Sequence, residues 1–453
     1  MTRALYVLGL VTAGIGGVTA IDTTGVGLEK TRAATAPLPI SAEGHSRPGA
    51  DSARVARLLT ALAHSDPVVC DLIGDQLGNF WMSGDDPRLG RFEDSPDVQG
   101  TKDSLAGTIT DPKAIVLLQA NMDTDNACVR RVAAKLLGNS RVSAAVLGRL
   151  LDDAQPRMRE SAAYAAGVGE HRETRAGLER RLGDSEASVA AMAAWALGEI
   201  QDPASAPALE KAVHSPSPRV RLASTWALGQ FEDASFAKDV LPLLRDTDPG
   251  MRAIAAEALG RMKSPRVSQA LIGSLTDRSA QVRRTAANAL GNMEERSAAA
   301  QLESLLLNDP DPDVRRECAN ALGNISLSRS LEPLARALDD QDADVRREAA
   351  NAIGNLDDVA KAPSALIRAT SSPDVDLRRQ ATDALAEIGD PGGASVQALL
   401  ARLGDEEKDI RLAAVKGLGD LNVAAAIPGL TRALNDRDPE VRQAAAEALG
   451  KTQ

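Results

Sequence analysis

The side chains with the most chemistry to offer come in a repeated order. The stretch VRRECANALGN at 314–324 returns as VRREAANAIGN at 345–355, and a looser copy, VRRTAANALGN, occupies 282–292. In each copy the second arginine is followed, at intervals of four, by two asparagines: Arg284, Asn288 and Asn292; Arg316, Asn320 and Asn324; Arg347, Asn351 and Asn355. Arg379 opens a fourth set, in which Asp383 takes the place of the first amide. A guanidinium fork clamps a carboxylate, and an asparagine amide both donates and accepts, so it can hold the two polar edges of a peptide unit. Together they suit recognition of an extended polar ligand. Duplication of neighbouring units with a solvated face produces the same pattern, and the sequence leaves both accounts standing.

Residues that usually carry catalysis are sparse. The four histidines are His45, His64, His171 and His214, and none stands in a His-Glu-x-x-His pair of helical zinc ligands. DPDPDVRRECAN opens at Asp309 like a calcium loop, but it has Val314 where glycine is needed and Asn320 where the bidentate glutamate belongs, so its aspartates read as helix caps. TAGIGG near Gly14 lies inside an apolar N-terminal run, out of place for a phosphate loop. Cys70, Cys128 and Cys318 are odd in number and widely spaced, and read as packed thiols rather than a disulfide framework. No catalytic residue, metal ligand or cofactor is assigned.

Something must hold the Arg and Asn rows in register. Aligning the small residue near each helix end gives Gly138, Gly167, Gly198, Gly229, Gly260, Gly291, Gly323, Gly354, Ala386, Gly419 and Gly450, spaced 29 to 33 apart. Eight residues earlier an arginine stands in ten of these eleven units, Ala190 being the exception. Each unit holds two helical patterns, as in LEPLARALDD at 331–340 followed by DVRREAANAIGNL at 344–356. Asp or Asp-Pro starts the second helix, and the Gly with the polar residues after it is expected to stop it. One hairpin cannot bury its apolar faces alone, so the units must stack, giving an all-α solenoid. On the second helix, offsets of one, five and nine after the first arginine share one face. The middle offset places Tyr164, Trp195 and Trp226 in successive units and then the asparagines, so the sequence presents an aromatic zone of binding anchors beside a polar one.

These units resemble the HEAT-repeat family, in particular the short HEAT-like repeats first described in phycobilin lyases, whose typical text is D..VR..AA.ALG. The resemblance covers about 108–453 and implies an α-solenoid (superhelix) of about eleven repeats. A worn copy, SDPVVCDLIGDQLGNF at 65–80, points to one or two degenerate capping units over 51–107 with an irregular insert. The resemblance also implies that the shared face looks into a concave groove. It further implies that the arginine and an aspartate six residues before it, present in eight units, build a charge-assisted ladder between repeats. The His-Glu metal pairs of HEAT-type hydroxylases are absent.

MTRALYVLGLVTAGIGGVTA at 1–20 reads as an export signal or an N-terminal anchor, and 21–50 as a flexible tether. Outside those readings the chain is cytoplasmic. The net charge of −11 supplies no global attraction to nucleic acid or to an anionic membrane. The reading is a monomeric, non-enzymatic scaffold that binds a protein or peptide in the groove. A chromophore-handling protein similar to the phycobilin lyases is the alternative, with lyase-like activity by family analogy only, and nucleic-acid binding is the weaker one.

Overall fold

The structure, a computed structural model, describes residues 50–63, 109–264 and 266–451. The N-terminal run, the tether and, apart from the helix Ala50–Ala63, the capping segment at 51–107 lie outside the described residues.

Eleven helical hairpins follow one another from Pro112 to Lys451 among the described residues, without a strand. Their second helices are Ala127–Gly138, Pro156–Val168, Ala187–Ile200, Pro218–Gln230, Pro249–Arg261, Ala280–Asn292, Pro312–Ile325, Ala343–Gly354, Val375–Ile388, Lys408–Leu421 and Pro439–Lys451, here numbered as units 1 to 11. The first helices are shorter, from Pro112–Ala120 in unit 1 to Ile427–Ala433 in unit 11. Ala50–Ala63 packs on both helices of unit 1.

Unit 7 shows why these residues form helices. The Asp311 side chain accepts hydrogen bonds from the Asp313 and Val314 amides, and Pro312 stands in the first turn where its missing N–H costs nothing. Val314, Cys318, Ala321, Leu322 and Ile325 recur at helical spacing and are buried. Ser326 ends the helix in the left-handed region, at φ 52°. That stop corrects the sequence expectation. The repeated glycine is still helical, and the left-handed turn falls three or four residues later, on Glu170, Gln201, Glu232, Lys263, Glu294, Ser326, Asp358, Gly389 and Asn422.

The glycine serves stacking instead. A Cβ on Gly229 would lie 2.8 Å from the Cα of Ala258 in the next unit, and one on Gly291 would lie 2.7 Å from that of Ala321. Backbones therefore approach closely at each seam, glycine against alanine. Unit 9 has Ala386 in place of the glycine, and there the partner changes too: Gly417 stands where the other units carry alanine, and a Cβ on it would meet the Ala386 Cβ at 2.6 Å. Gly and Ala have traded places across one seam.

The charged ladder runs along the same seams. Arg252 donates from Nε and Nη2 to both carboxylate oxygens of Asp277, at 2.7 and 2.8 Å, and from Nη1 to the Asp246 carbonyl. Arg159–Asp184, Arg283–Asp309, Arg315–Asp340, Arg378–Asp405 and Arg411–Asp436 repeat this two-pronged pairing. Each arginine thus grips the aspartate of the following unit, while its own unit supplies a carbonyl six residues back. Where unit 3 has Ala190 in place of the arginine, unit 4 has Ser215 in place of the aspartate. Arg346 faces Ser372 in the same way and bonds only the Asp340 and Gln341 carbonyls.

Consecutive second helices pack extensively, whereas consecutive first helices touch little.

Cys318 is free and buried, but Cys128 is disulfide-bonded. This corrects the expectation that all three cysteines are simple packed thiols.

Candidate binding groove

The polar row survives into the structure as an exposed surface. Asn288, Asn292, Asn324, Asn351 and Asn355 are exposed, while Asn320 and the arginines Arg284, Arg316, Arg347 and Arg379 are half-buried. The side chains are bound to one another. Glu317 Oε1 accepts from Asn288 Nδ2 of the preceding unit at 2.9 Å and from Asn320 Nδ2 of its own at 3.2 Å. Asn292 Nδ2 donates to Asn288 Oδ1 at 2.9 Å, and Asn351 Nδ2 to Glu348 Oε1 at 3.1 Å. An Asn–Glu–Asn chain therefore crosses the seam between units 6 and 7.

The arginines are likewise engaged. Arg316 lies 3.7 Å from Asp313 and Arg379 lies 3.4 Å from Asp376, each an acid three residues earlier on the same helix. Arg347 pairs with Asp344 in the same manner and reaches Asp374 of unit 9 at 3.4 Å. Around Arg316, Arg347, Glu348, Asn351, Asp376 and Arg379 the surface opens into a hollow of about 380 Å³. Burial pushes the Glu317 and Asp383 carboxyls above the usual carboxylate range, and burial pushes the Arg284 guanidinium below its own.

The aromatic zone is placed differently. Tyr164 is 1% exposed, Trp195 8% and Trp226 9%. Tyr164 stacks on Trp195 with ring centroids 5.3 Å apart. The Trp195 and Trp226 rings fill the space beside Gly167 and Gly198 of the preceding units, where a Cβ would come within 2.7 and 2.8 Å of them. The three aromatics pack the seams, so the exposed aromatic anchor surface that the sequence suggests is not formed, and with it goes the pocket wall that a chromophore-handling reading requires. The register of Trp195 with Gly167 in the unit before it was the readable sign.

Among the described residues no group of three or more His, Cys, Asp or Glu could hold a metal ion, and no helix is long and apolar enough to cross a membrane. Asp309 and Asp311, the start of the loop that mimics a calcium site, are taken up by the ladder and by helix capping.

The family described as HEAT repeats matches residues 143–229, 207–291, 274–354, 332–396 and 396–453. Comparison with curated proteins gives no match. Among solved structures, importin beta is similar at a TM-score of 0.55 and 14% identity, over 88% of this chain and 61% of importin beta, so the chain spans about three fifths of that relative. An engineered protein matches at 0.45 with 21% identity, over 75% of this chain and 98% of its own. The CpcE–CpcF complex of phycocyanin lyase from Nostoc sp. PCC7120 matches at 0.33 with 21% identity, over 55% of this chain and 93% of the matched one. The likeness to importin beta speaks to the helical-repeat fold.

Proposed function

The chain belongs to the HEAT-repeat family, and from that premise we propose that it is a non-enzymatic scaffold holding a protein partner along the concave row from Arg284 to Arg379. One observation carries the reading: exposed asparagines recur at the same offsets in successive units, at positions where neither helix propensity nor packing asks for them. A row of amides and charges on a curved, pre-formed face offers an extended segment many weak polar contacts in fixed register. Trp195 and Trp226 support this row by stiffening units 3 and 4 rather than by touching the partner. Nucleic acid is disfavoured by Glu317 and Glu348, which interleave the arginines.

The proposal extends to location. The apolar run at 1–20 directs export or anchoring, and the disulfide at Cys128 suits an oxidising compartment. The test of the groove is capture of the natural partner from an extract of the source cells. Wild type and the triple variant Asn288→Ala, Asn320→Ala, Asn351→Ala should melt alike, and the variant should lose at least about tenfold in captured partner. Equal capture by the two proteins would remove the groove from the reading.

A further inference from the structure

Resting on the groove reading above, we propose that the row from Arg284 to Glu387 takes a cationic partner: an extended protein segment carrying Lys or Arg side chains. The arginines of the row invite the opposite conclusion, but their forks are already used. Asp313, Asp344 and Asp376 each sit three residues before an arginine on the same helix and pair with it. With three guanidiniums neutralised from within, Glu317, Glu348, Asp383 and Glu387 stand against Arg284 alone in the charge count, so the face carries three negative charges in excess.

The amides point the same way. Asn320 and Asn351 each commit one amide N–H to Glu317 and Glu348, while their carbonyl oxygens stay available as acceptors for a donor on the partner. A surface of carboxylates and amide oxygens recognises donors. The hollow of about 380 Å³ beside Glu348 and Asn351 has room for long side chains, not for a folded element.

A comparison within the molecule supports this. Asp184, Asp277, Asp340, Asp405 and Asp436, each gripped by a two-pronged arginine, have their carboxyls held below the usual range, as Arg252 does for Asp277. Glu317 and Asp383 are shifted upward by burial, and neither has an ion-pair partner within 4.0 Å among the described residues. Arg316 and Arg284 act on Glu317, and Arg379 and Lys416 on Asp383, but none closes to an ion pair, so both remain half-buried carboxylates open to a further cation. A lysine or arginine laid along the row supplies it, and a carboxylate-bearing or phosphate-bearing segment is repelled.

The experiment uses three labelled peptides of equal length, in which Ser and Gly alternate with Lys and Arg, with Glu, or with Gln. Fluorescence anisotropy is read against wild type, the groove variant Glu317→Gln with Glu348→Gln, and the control Glu173→Gln with Glu332→Gln. The control removes the same charge from exposed positions on the first-helix side. The cationic peptide alone should bind wild type; the groove variant should weaken it about tenfold and the control less than about twofold. Equal weakening by both variants would mean that the peptide feels only the overall acidity of the chain, and would overturn the proposal. Binding of the Glu peptide would overturn it while leaving the groove reading intact. Failure of all three to bind would also overturn it, and capture of the natural partner by wild type but not by the asparagine variant would then show that the groove still binds by other chemistry.

Discussion

At the scale of single residues, the arginines at one repeat offset are not equivalent. Arg315 meets Asp340 with two charge-assisted hydrogen bonds and also holds the Asp309 carbonyl, in a seam where both side chains are largely buried. Arg346, one unit later, has two carbonyls and no carboxylate. Arg315→Ala should therefore cost about 2 kcal/mol, since it strands a buried acid, and Arg346→Ala about 1 kcal/mol or less. Asn320→Ala, on the open face, should stay within about 0.5 kcal/mol. Urea denaturation of the three variants checks the order, and an equal loss for Arg315 and Arg346 would contradict the ladder as described.

The carboxyls also set a pH profile. Arg252 lowers Asp277; at Asp184, Asp340, Asp405 and Asp436 burial pushes upward, but the paired arginine and a backbone N–H outweigh it, leaving each below its usual value. A group with a depressed folded pKa stabilises the fold above its unfolded value, about 3.9, and loses that contribution as pH falls through the folded value. Burial raises Glu199 to about 7 and also raises Glu257, Glu317 and Asp383, so their ionisation opposes folding, and that cost is relieved as pH falls through their folded values. Stability should thus rise slightly from about pH 7 to about pH 5 and drop below about pH 4. Denaturation midpoints across that range test it; Glu199→Gln with Glu257→Gln should flatten the rise and leave the acid limb in place. A steady decline from neutral pH in wild type would refute the assignment.

Among the elements, the hairpins were legible in the sequence because apolar spacing, Asp-Pro starts and a period near 31 all demanded the same thing. In the hairpin at 331–356, Leu334, Leu338, Val345, Ala349, Ala352 and Ile353 recur at helical spacing and are buried. Two element-level features were not legible from apolar spacing alone. Periodicity fixes the face on which Trp195 starts but not where a long ring comes to rest, and a glycine one unit earlier drew it into the seam. The glycines themselves looked like helix stops because that is glycine's commonest task, whereas here it is the absence of a Cβ that matters. Ala386 and Gly417 let this be tested. Gly417→Ala should cost roughly 1–3 kcal/mol by overpacking against Ala386. Adding Ala386→Gly should recover most of it, because the seam then has the arrangement of its neighbours, while Ala386→Gly alone should cost about 1 kcal/mol in helix propensity. Additive losses in this double-mutant cycle would mean that the close approach is not what pairs them.

For the whole molecule, stability is the sum of repeat and seam terms, so the weakest seam decides where the stack opens. The seam between units 3 and 4 lacks a ladder pair, yet the Trp226 ring against Gly198 and the extensive packing of the two second helices compensate. The seam between units 8 and 9 has no such filler. Arg346 finds Ser372 where a carboxylate belongs, the first helix of unit 9 spans only Ser364–Ala369, and the ion pairs across the seam, Arg347–Asp374 and Arg368–Asp339 at 3.4 Å and Arg347–Asp376 at 4.0 Å, are all at least partly exposed. Units 9 to 11 should therefore open as a block before units 5 to 8, which are joined by uninterrupted ladder pairs. In native-state hydrogen exchange, amides of Val375–Ile388 should exchange at lower denaturant than those of Pro312–Ile325. Ser372→Asp offers Arg346 the missing carboxylate and keeps an acceptor for the Asp374 amide, which Ser372 Oγ now holds at 3.2 Å. The substitution should bring the two blocks about 1–2 kcal/mol closer in opening free energy. If exchange is already uniform across the seam, or if Ser372→Asp leaves the difference untouched, the ladder is not what couples one repeat to the next.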